Sequence, residues 1–573
     1  MTDIWIKMGK QSKLSMAVPI STRSVDNGSR ETRRRKQRQI RRHRRQRLIL
    51  TSLALALVAG TSLVHTTTAP QAKQDMLFVQ PRATATTSGT EAVVELSQEV
   101  AEPAQQPTQT LQPTESIPVS TAQPVALPTQ AQMITYDKDN PILYYSQSGD
   151  SLGVLAVRFG VEVDEITSIS PLPEEGFIPE GQLLLIPARL DSVSSSLKLY
   201  PDSELVNSRS ALDFDVDLFV QQAGGYLSTY YESVYAVGFI SGAEIIRRVA
   251  LDFSIHPRLL LALLEYQSGW VYGVPETDFA KNYPMGLEES GQRGLYKQLV
   301  LAAGKLGTGY YGWREGTMVA ITFPDRFVLR LAAELNCGTV GLMYFFSQTL
   351  NLEDWANALY TENSFLATYE AMFGNPWLIA QQYEPVFTPD VLQPELILPF
   401  ETGVTWSYTG GPHAAWGAAE VRAALDFAPP GDAPGCVPSN HWVVASAPGL
   451  VVRSENGLVV VDLDGDGYEQ TGWNIIYLHM ATSQRIAVGT WVETGDRLGH
   501  PSCEGGIATG THLHMARKYN GEWVPAEGPL SFVLSGWKAK AGSIVNSGWL
   551  IKDDQVVRSN IYGTSASRIV RSE

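Results

Sequence analysis

Cysteine is scarce in this 573-residue chain, with only Cys337, Cys436 and Cys503 present. That count excludes a scaffold held together by a dense disulfide network. Uncharged apolar runs are nearly as rare. The one that stands out is Leu48–Val64, 17 residues reading LILTSLALALVAGTSLV. Positive charge is also sparse once the first 47 residues are passed. Residues 1–47 hold 15 Lys+Arg against 3 Asp+Glu, so the formal net charge of −15 leaves −27 on the remainder. An acidic body is a poor non-specific ligand for nucleic acid, and no nucleic-acid partner is expected.

What is present begins with a basic segment, residues 1–47, directly followed by the apolar stretch 48–64. Positive charge ahead of a short apolar segment reads as an export signal or signal-anchor, with the basic end left in the cytoplasm. Seventeen helical residues reach about 25 Å, marginal for a bilayer core. No clear small-x-small cleavage site follows, so a single-pass membrane anchor is expected, with cleavage and secretion as the alternative. Everything after Val64 is then extracytoplasmic. Residues 65–138, rich in Thr, Gln, Pro, Ala and Ser, lack hydrophobic periodicity and read as a disordered linker. An exported chain permits disulfides, and a Cys436–Cys503 bridge with a free, buried Cys337 is expected.

The expected fold class is multidomain: a small α+β unit, a mainly α-helical middle domain and a C-terminal antiparallel β domain. In residues 139–190, Ile142–Tyr145 reads as a strand and Leu152–Phe159 as a helix behind the Ser148-Gly149-Asp150-Ser151 turn. A second short helix is expected near Val163–Ile169 and a strand over Leu183–Ile186. The segments QSGDSLGVLAVRFGV and IPEGQLLLIP resemble the LysM module, which implies binding to glycans such as peptidoglycan. Residues 205–392 show helical spacing, with Pro257 suited to open a helix. The string IHPRLLLALLEYQSGW resembles the start of a lytic-transglycosylase (lysozyme-like) domain. Where that family places its acid Glu stands Gln267, which has no carboxylic proton to give, and Glu265 lies about 200° around the helix. An inactive wall-binding or spacer domain is the resulting expectation.

Chemistry concentrates in residues 393–545, with 546–573 expected as a C-terminal tail. His512-Leu513-His514 places two imidazoles on one face of a strand, since residues i and i+2 point the same way. Tyr477-Leu478-His479 ends another strand with a further His. Upstream, Gly410-Gly411-Pro412-His413 reads as a glycine-rich turn. Ala424-Leu425-Asp426-Phe427 sets a carboxylate in an apolar strand, where an unpaired charge is costly and a metal is a natural partner. Together these motifs resemble the lysostaphin/LytM-type zinc endopeptidases of the cell wall. The resemblance implies one zinc ion held by His413, Asp426 and His514. It also implies two catalytic, non-ligand imidazoles, His479 and His512, and peptidoglycan as the substrate. In that family the first His and the Asp are usually four residues apart. Here they are 13 apart, so AAWGAAEVRA must form an excursion that returns Asp426 to His413, with His441 as the alternative donor. No His-Glu-x-x-His motif exists, which excludes the thermolysin arrangement. A non-catalytic wall-binding scaffold or regulator is the alternative function. Asp462-x-Asp464-x-Asp466-Gly467 resembles the front of a calcium loop, but an EF-hand's twelfth-position Glu is Trp473 here. A polar hairpin turn and an ion site both stay open.

Overall fold

The computed structural model describes residues 133–388, 390–417, 421–431 and 435–572. The basic segment 1–47, the anchor 48–64 and the linker up to residue 132 lie outside the described residues. Among the described residues no helix is long and apolar enough to cross a membrane. The end of the expected linker is ordered. Ile134–Thr135 pairs with Ser192–Val193, and Tyr136 Oη donates to Glu334 at 2.5 Å.

The first unit is a three-stranded antiparallel sheet with Leu183–Ile186 between Ile142–Tyr145 and Thr167–Ser168, covered by the helix Leu152–Phe159. The expected second helix is instead a single 3₁₀ turn, Val163–Glu165. Its Glu162/Glu165 capping box closes it, and β-branched Ile166 and Thr167 carry the chain on as strand. The unit's buried Arg158 pairs with Asp150 at 3.0 Å and donates to the Trp313 carbonyl of the next region at 2.9 Å.

The middle region is helical, as its apolar spacing predicts. Ser241 caps Gly242–Phe253, and Pro257 opens Pro257–Ser268 behind the buried cap His256. Leu295–Arg314 and Cys337–Ser347 pack against each other. Two short hairpins, Tyr231–Val234 with Gly238–Ser241 and Ala320–Thr322 with Val328–Arg330, interrupt the helices.

The C-terminal region is a nine-stranded antiparallel sheet. Across it run Trp491–Val492, Gly449–Glu455, Leu458–Asp462, Trp473–Leu478, Leu513–Tyr519, Arg422–Ala428, Thr405–Ala414 and Arg568–Val570, with Glu522–Trp523 paired to Leu513–Tyr519. Leu458–Asp462 and Trp473–Leu478 are buried along their whole length. Their side chains divide by strict alternation. Val459, Val461, Ile475 and Tyr477 enter a core shared with Leu534, Trp537 and Leu550 of a four-stranded sheet. Leu458, Val460, Ile476 and Leu478 enter the core of the helical region. A sheet buried on both faces reads as continuous apolar runs, which explains LVVV and IIYL.

Two domain expectations need correction. The helical region shares one hydrophobic core with the sheet's back face rather than forming a separate core. Residues 546–573 are not a tail: Gly548–Lys552 and Gln555–Arg558 complete the four-stranded sheet, and Arg568–Val570 pairs with Thr405–Ala414. The short apolar runs WLI, VV and IV hid these strands, because each buries only alternate residues. A charged seam also joins the regions. Arg453 bridges Asp252 at 2.7 Å and contacts Glu469, and Lys518 Nζ donates to the Leu251 carbonyl at 2.8 Å.

Candidate metal centre

The 13-residue interval between His413 and Asp426 resolves into a hairpin. Thr405–Ala414 and Arg422–Ala428 run antiparallel, with Gly410 opposite Asp426 and His413 opposite Ala424. The GGPH segment, expected as a turn, lies within the first strand, and register shifts on either side of it re-aim His413. Glycine is needed here for space. A Cβ on Gly410 would sit 2.8 Å from Asp426 Cγ, and one on Gly411 would meet the Ser547–Gly548 backbone. On the other side of Arg422–Ala428, Asp426 stands directly opposite His514 of Leu513–Tyr519.

His413 Nε2, His514 Nδ1 and Asp426 Oδ1 therefore converge. The separations are 3.1 Å between the nitrogens, 3.2 Å from Oδ1 to His413 and 3.3 Å from Oδ1 to His514. Three donors bonded tetrahedrally at ~2.0–2.1 Å stand about 3.3 Å apart, so the triangle has the dimensions of one face of a tetrahedral zinc shell. Backbone carbonyls fix the tautomers. His413 Nδ1–H donates to Gly411 O at 2.8 Å, and His514 Nε2–H donates to Ala415 O at 3.0 Å. Each leaves its lone pair facing the other. Asp426 Oδ1 is buried with no hydrogen-bond partner. Two lone pairs and a carboxylate oxygen so close repel one another unless a cation is shared, so the residues fit a metal.

The charge pattern agrees. Burial disfavours the Asp426 carboxylate, but His413 and His514 overcome it and hold its pKa well below the usual range. Burial likewise works against a charged His413, yet the Asp426 charge and two backbone contacts raise its pKa.

The other two imidazoles flank the triangle. His512 Nδ1–H donates to Gly510 O at 2.8 Å, and its Nε2 lies 3.8 Å from Asp426 Oδ1. His479 follows the Trp473–Leu478 strand with φ 66°, a left-handed conformation rare outside glycine and common at functional sites. Its Nδ1–H donates to Glu504 O at 2.8 Å, and its ring centroid is 4.5 Å from that of His512. Burial first, then His512, pushes the His479 pKa down to about 4, so this imidazole is neutral near pH 7. The Glu504 loop is pinned by the Cys436–Cys503 disulfide, and Cys337 is free and buried, both as expected.

All five sequence-derived site residues thus meet in one place. His441 does not join them: its N–H donates to Ser439 Oγ and its carbonyl bonds His500. The orienting carbonyls of Gly411, Ala415, Glu504 and Gly510 were not foreseen, because a backbone oxygen leaves no sequence signature. The disulfide flanking Glu504 was the only hint. Trp416 lines a cleft of about 1100 Å³ that runs from Val234–Val237 to Ser502–Ile507, whereas Tyr408 and Trp473 are packing residues. Glu265 accepts from the Val271 and Tyr272 N–H groups, which closes the end of its helix.

Comparison with known proteins adds a family context. A family profile described as "LasA, N-terminal domain" matches residues 198–386, the helical region. The chain is 25% identical over 358 residues to protease LasA of Pseudomonas aeruginosa, covering 58% of this chain and 79% of that protein. It is 26% identical over 148 residues to the beta-lytic metalloendopeptidase of Lysobacter enzymogenes, covering 26% of this chain and 79% of that one. Among solved structures, the M23 metalloprotease pseudoalterin from the deep sea is 23% identical, covering 29% of this chain and 96% of that chain at a TM-score of 0.25. Together with the donor triangle, the similarity to LasA and to the beta-lytic metalloendopeptidase defines the class: the chain is a metalloendopeptidase. Within that class its likeness is to the LasA-like metallopeptidases, the lysostaphin/LytM type.

Proposed function

We propose that the protein is a zinc-dependent endopeptidase that hydrolyses peptide bonds of bacterial peptidoglycan. The observation that carries this is the triangle of His413 Nε2, His514 Nδ1 and Asp426 Oδ1, with the imidazoles of His479 and His512 beside it. One zinc ion there supplies a Lewis acid that makes water nucleophilic near neutral pH and polarises a carbonyl. The chain's own groups do the rest. His479 Nε2, deprotonated because Nδ1 is committed to Glu504 O, accepts the proton of the attacking water. His512, whose Nδ1–H is held by Gly510 O, donates from Nε2 to the oxyanion that develops on the scissile carbonyl only when its ring carries both protons. Asp426 neutralises part of the centre's charge, and the Gly411 and Ala415 carbonyls hold the two ligand rings in register.

The cleft beside Trp416 and the Glu504 loop is the groove for the stem or cross-bridge peptide. Residues 139–190 act as a LysM-type glycan grip, supported by the strand–helix–strand order of that unit. Residues 48–64 anchor the chain in the cell membrane, with the catalytic region extracytoplasmic, or are cleaved to release it. A tethered grip raises the effective concentration of the peptidase at an insoluble substrate.

Purified full-length protein carrying zinc, incubated with isolated peptidoglycan, is expected to release fragments with new peptide termini detectable by mass spectrometry. The His514→Ala protein should bind the wall and release none. A zinc-loaded, folded wild type that sediments with peptidoglycan but produces no new termini would overturn the reading in favour of a binding scaffold.

A further inference from the structure

The turn joining Leu458–Asp462 to Trp473–Leu478 takes no part in the centre above, yet it gathers charge. One carboxylate oxygen each from Asp462, Asp464 and Asp466 lies within 4.8 Å of the others. Acidic turns are common and mean little when solvated. This one is not fully solvated, because Asp462 ends a buried strand and is itself fully buried. Its Oδ2 accepts from the Gly467 N–H at 2.8 Å, but its Oδ1 is buried without any hydrogen-bond partner.

A second observation comes from outside the acidic group. Asn474 is the register partner of Asp462 across the ladder, so the two side chains stand together on one face of the sheet. Asn474 is fully buried as well. Its amide nitrogen donates to the Thr471 carbonyl at 2.9 Å, while its Oδ1 has no partner. The Thr471 hydroxyl in turn donates to Asp466 at 2.7 Å, which ties the Asn474 amide to the acidic turn. Two buried acceptor oxygens on register-paired residues, both unpaired and both beside the acidic turn, lose their hydration without return. A bound cation restores it.

We propose that Asp462, Asp464, Asp466 and Asn474 form a calcium site distinct from the zinc centre. All four offer oxygen, the donor set of a hard cation. Calcium tolerates irregular, partly hydrated shells better than magnesium does, and zinc prefers the nitrogen-containing triangle. The site is not an EF-hand, since position twelve is the packing residue Trp473. Its role follows from what the turn carries. Glu469, on the same turn, contacts Arg453 and lies 3.3 Å from Lys518 Nζ, and these two cations reach Asp252 and the Leu251 carbonyl of the helical region. Calcium therefore orders the turn that clamps the helical region to the sheet, and it pins the start of the strand that ends at His479.

The test uses the full chain, stripped with chelator and reloaded with one equivalent of zinc, then dialysed against radioactive calcium. One calcium ion per chain is expected, with a dissociation constant on the order of 10⁻⁴ M, as for extracellular modules. The melting temperature should rise and saturate with the same concentration dependence. The double variant Asp464→Ala/Asp466→Ala changes exposed side chains. It should keep its zinc and its calcium-free melting temperature but lose both calcium uptake and the thermal shift. Asp462→Asn should weaken calcium binding at least tenfold. Absence of saturable uptake up to about 5 mM calcium overturns the proposal, as does uptake that persists undiminished in the double variant.

Discussion

Replacing Gly410 with Ala tests the metal centre without touching a ligand. The added Cβ would lie 2.8 Å from Asp426 Cγ and 2.9 Å from its Cβ. Ordinary carbon–carbon contact is ~3.5 Å or more, so each pair is roughly 0.6–0.7 Å too close. Because both the side chain and the Cβ are involved, a rotamer change alone does not relieve the overlap, and the Gly410–Asp426 register pair must separate. Metal–ligand distances are held to about ±0.2 Å, so a displacement of that size removes Asp426 Oδ1 from the donor triangle. Losing a ligand costs more than losing an orienting partner, which alone costs 10–100-fold in affinity. The expected loss is therefore at least 100-fold in zinc affinity, about 2.7 kcal/mol. Overpacking should destabilise the fold by only ~1–3 kcal/mol. Competition with a chromogenic chelator measures the affinity, and circular dichroism with urea unfolding reports on the fold. A folded Gly410→Ala protein that binds zinc as tightly as wild type would refute the assignment of Asp426 as a ligand and the hairpin argument behind it.

Other perturbations separate ligands from their supports. His479→Ala should keep its zinc while kcat falls by ~10²–10⁴, measured on a defined muropeptide, because the proton acceptor is lost and the triangle is not. Replacing Cys436 and Cys503 together by Ser opens a link between residues 67 apart in sequence. Urea unfolding should show a loss of up to about 4 kcal/mol, and catalysis should weaken because the Glu504 loop that orients His479 is no longer pinned. Acid stability should report on His256, fully buried and neutral, whose pKa is driven well below its ordinary value by burial first and Arg258 second. Its contribution is whole above the unfolded-state value of ~6.5 and is lost as pH falls through that value toward the folded one, since the unfolded chain binds the proton and the folded chain does not. Urea midpoints measured between pH 7.5 and 5 should fall for the wild type and change less for His256→Asn.

Parts of the centre were legible in the sequence as residue types at short spacing, and the family resemblance implied how those parts combine. His512-Leu513-His514 needs only strand alternation to place two imidazoles on one face, and Asp426 in an apolar strand signals a buried charge that requires a partner. The LVVV and IIYL runs mark strands, but only the structure shows that both of their faces are buried and what covers each. The GGPH segment was misread as a turn because glycine and proline mark turns more often than close-packed strands. Here the glycines make room for Asp426 and for the Ser547–Gly548 backbone.

The donor set was implied by the family resemblance; by itself the sequence determined the alternation that pairs His512 with His514 and the helical character of residues 243–251 and 257–266. Those properties are local, encoded in neighbouring residues. Only the tertiary structure decided that 13 residues fold into a hairpin setting Asp426 between Gly410 and His514, and that four backbone carbonyls choose the imidazole tautomers. It also decided that the helical region and the sheet close one core between them. Register, carbonyl direction and the partner of a buried face arise from contacts between residues distant in the chain, and no short window of sequence carries them.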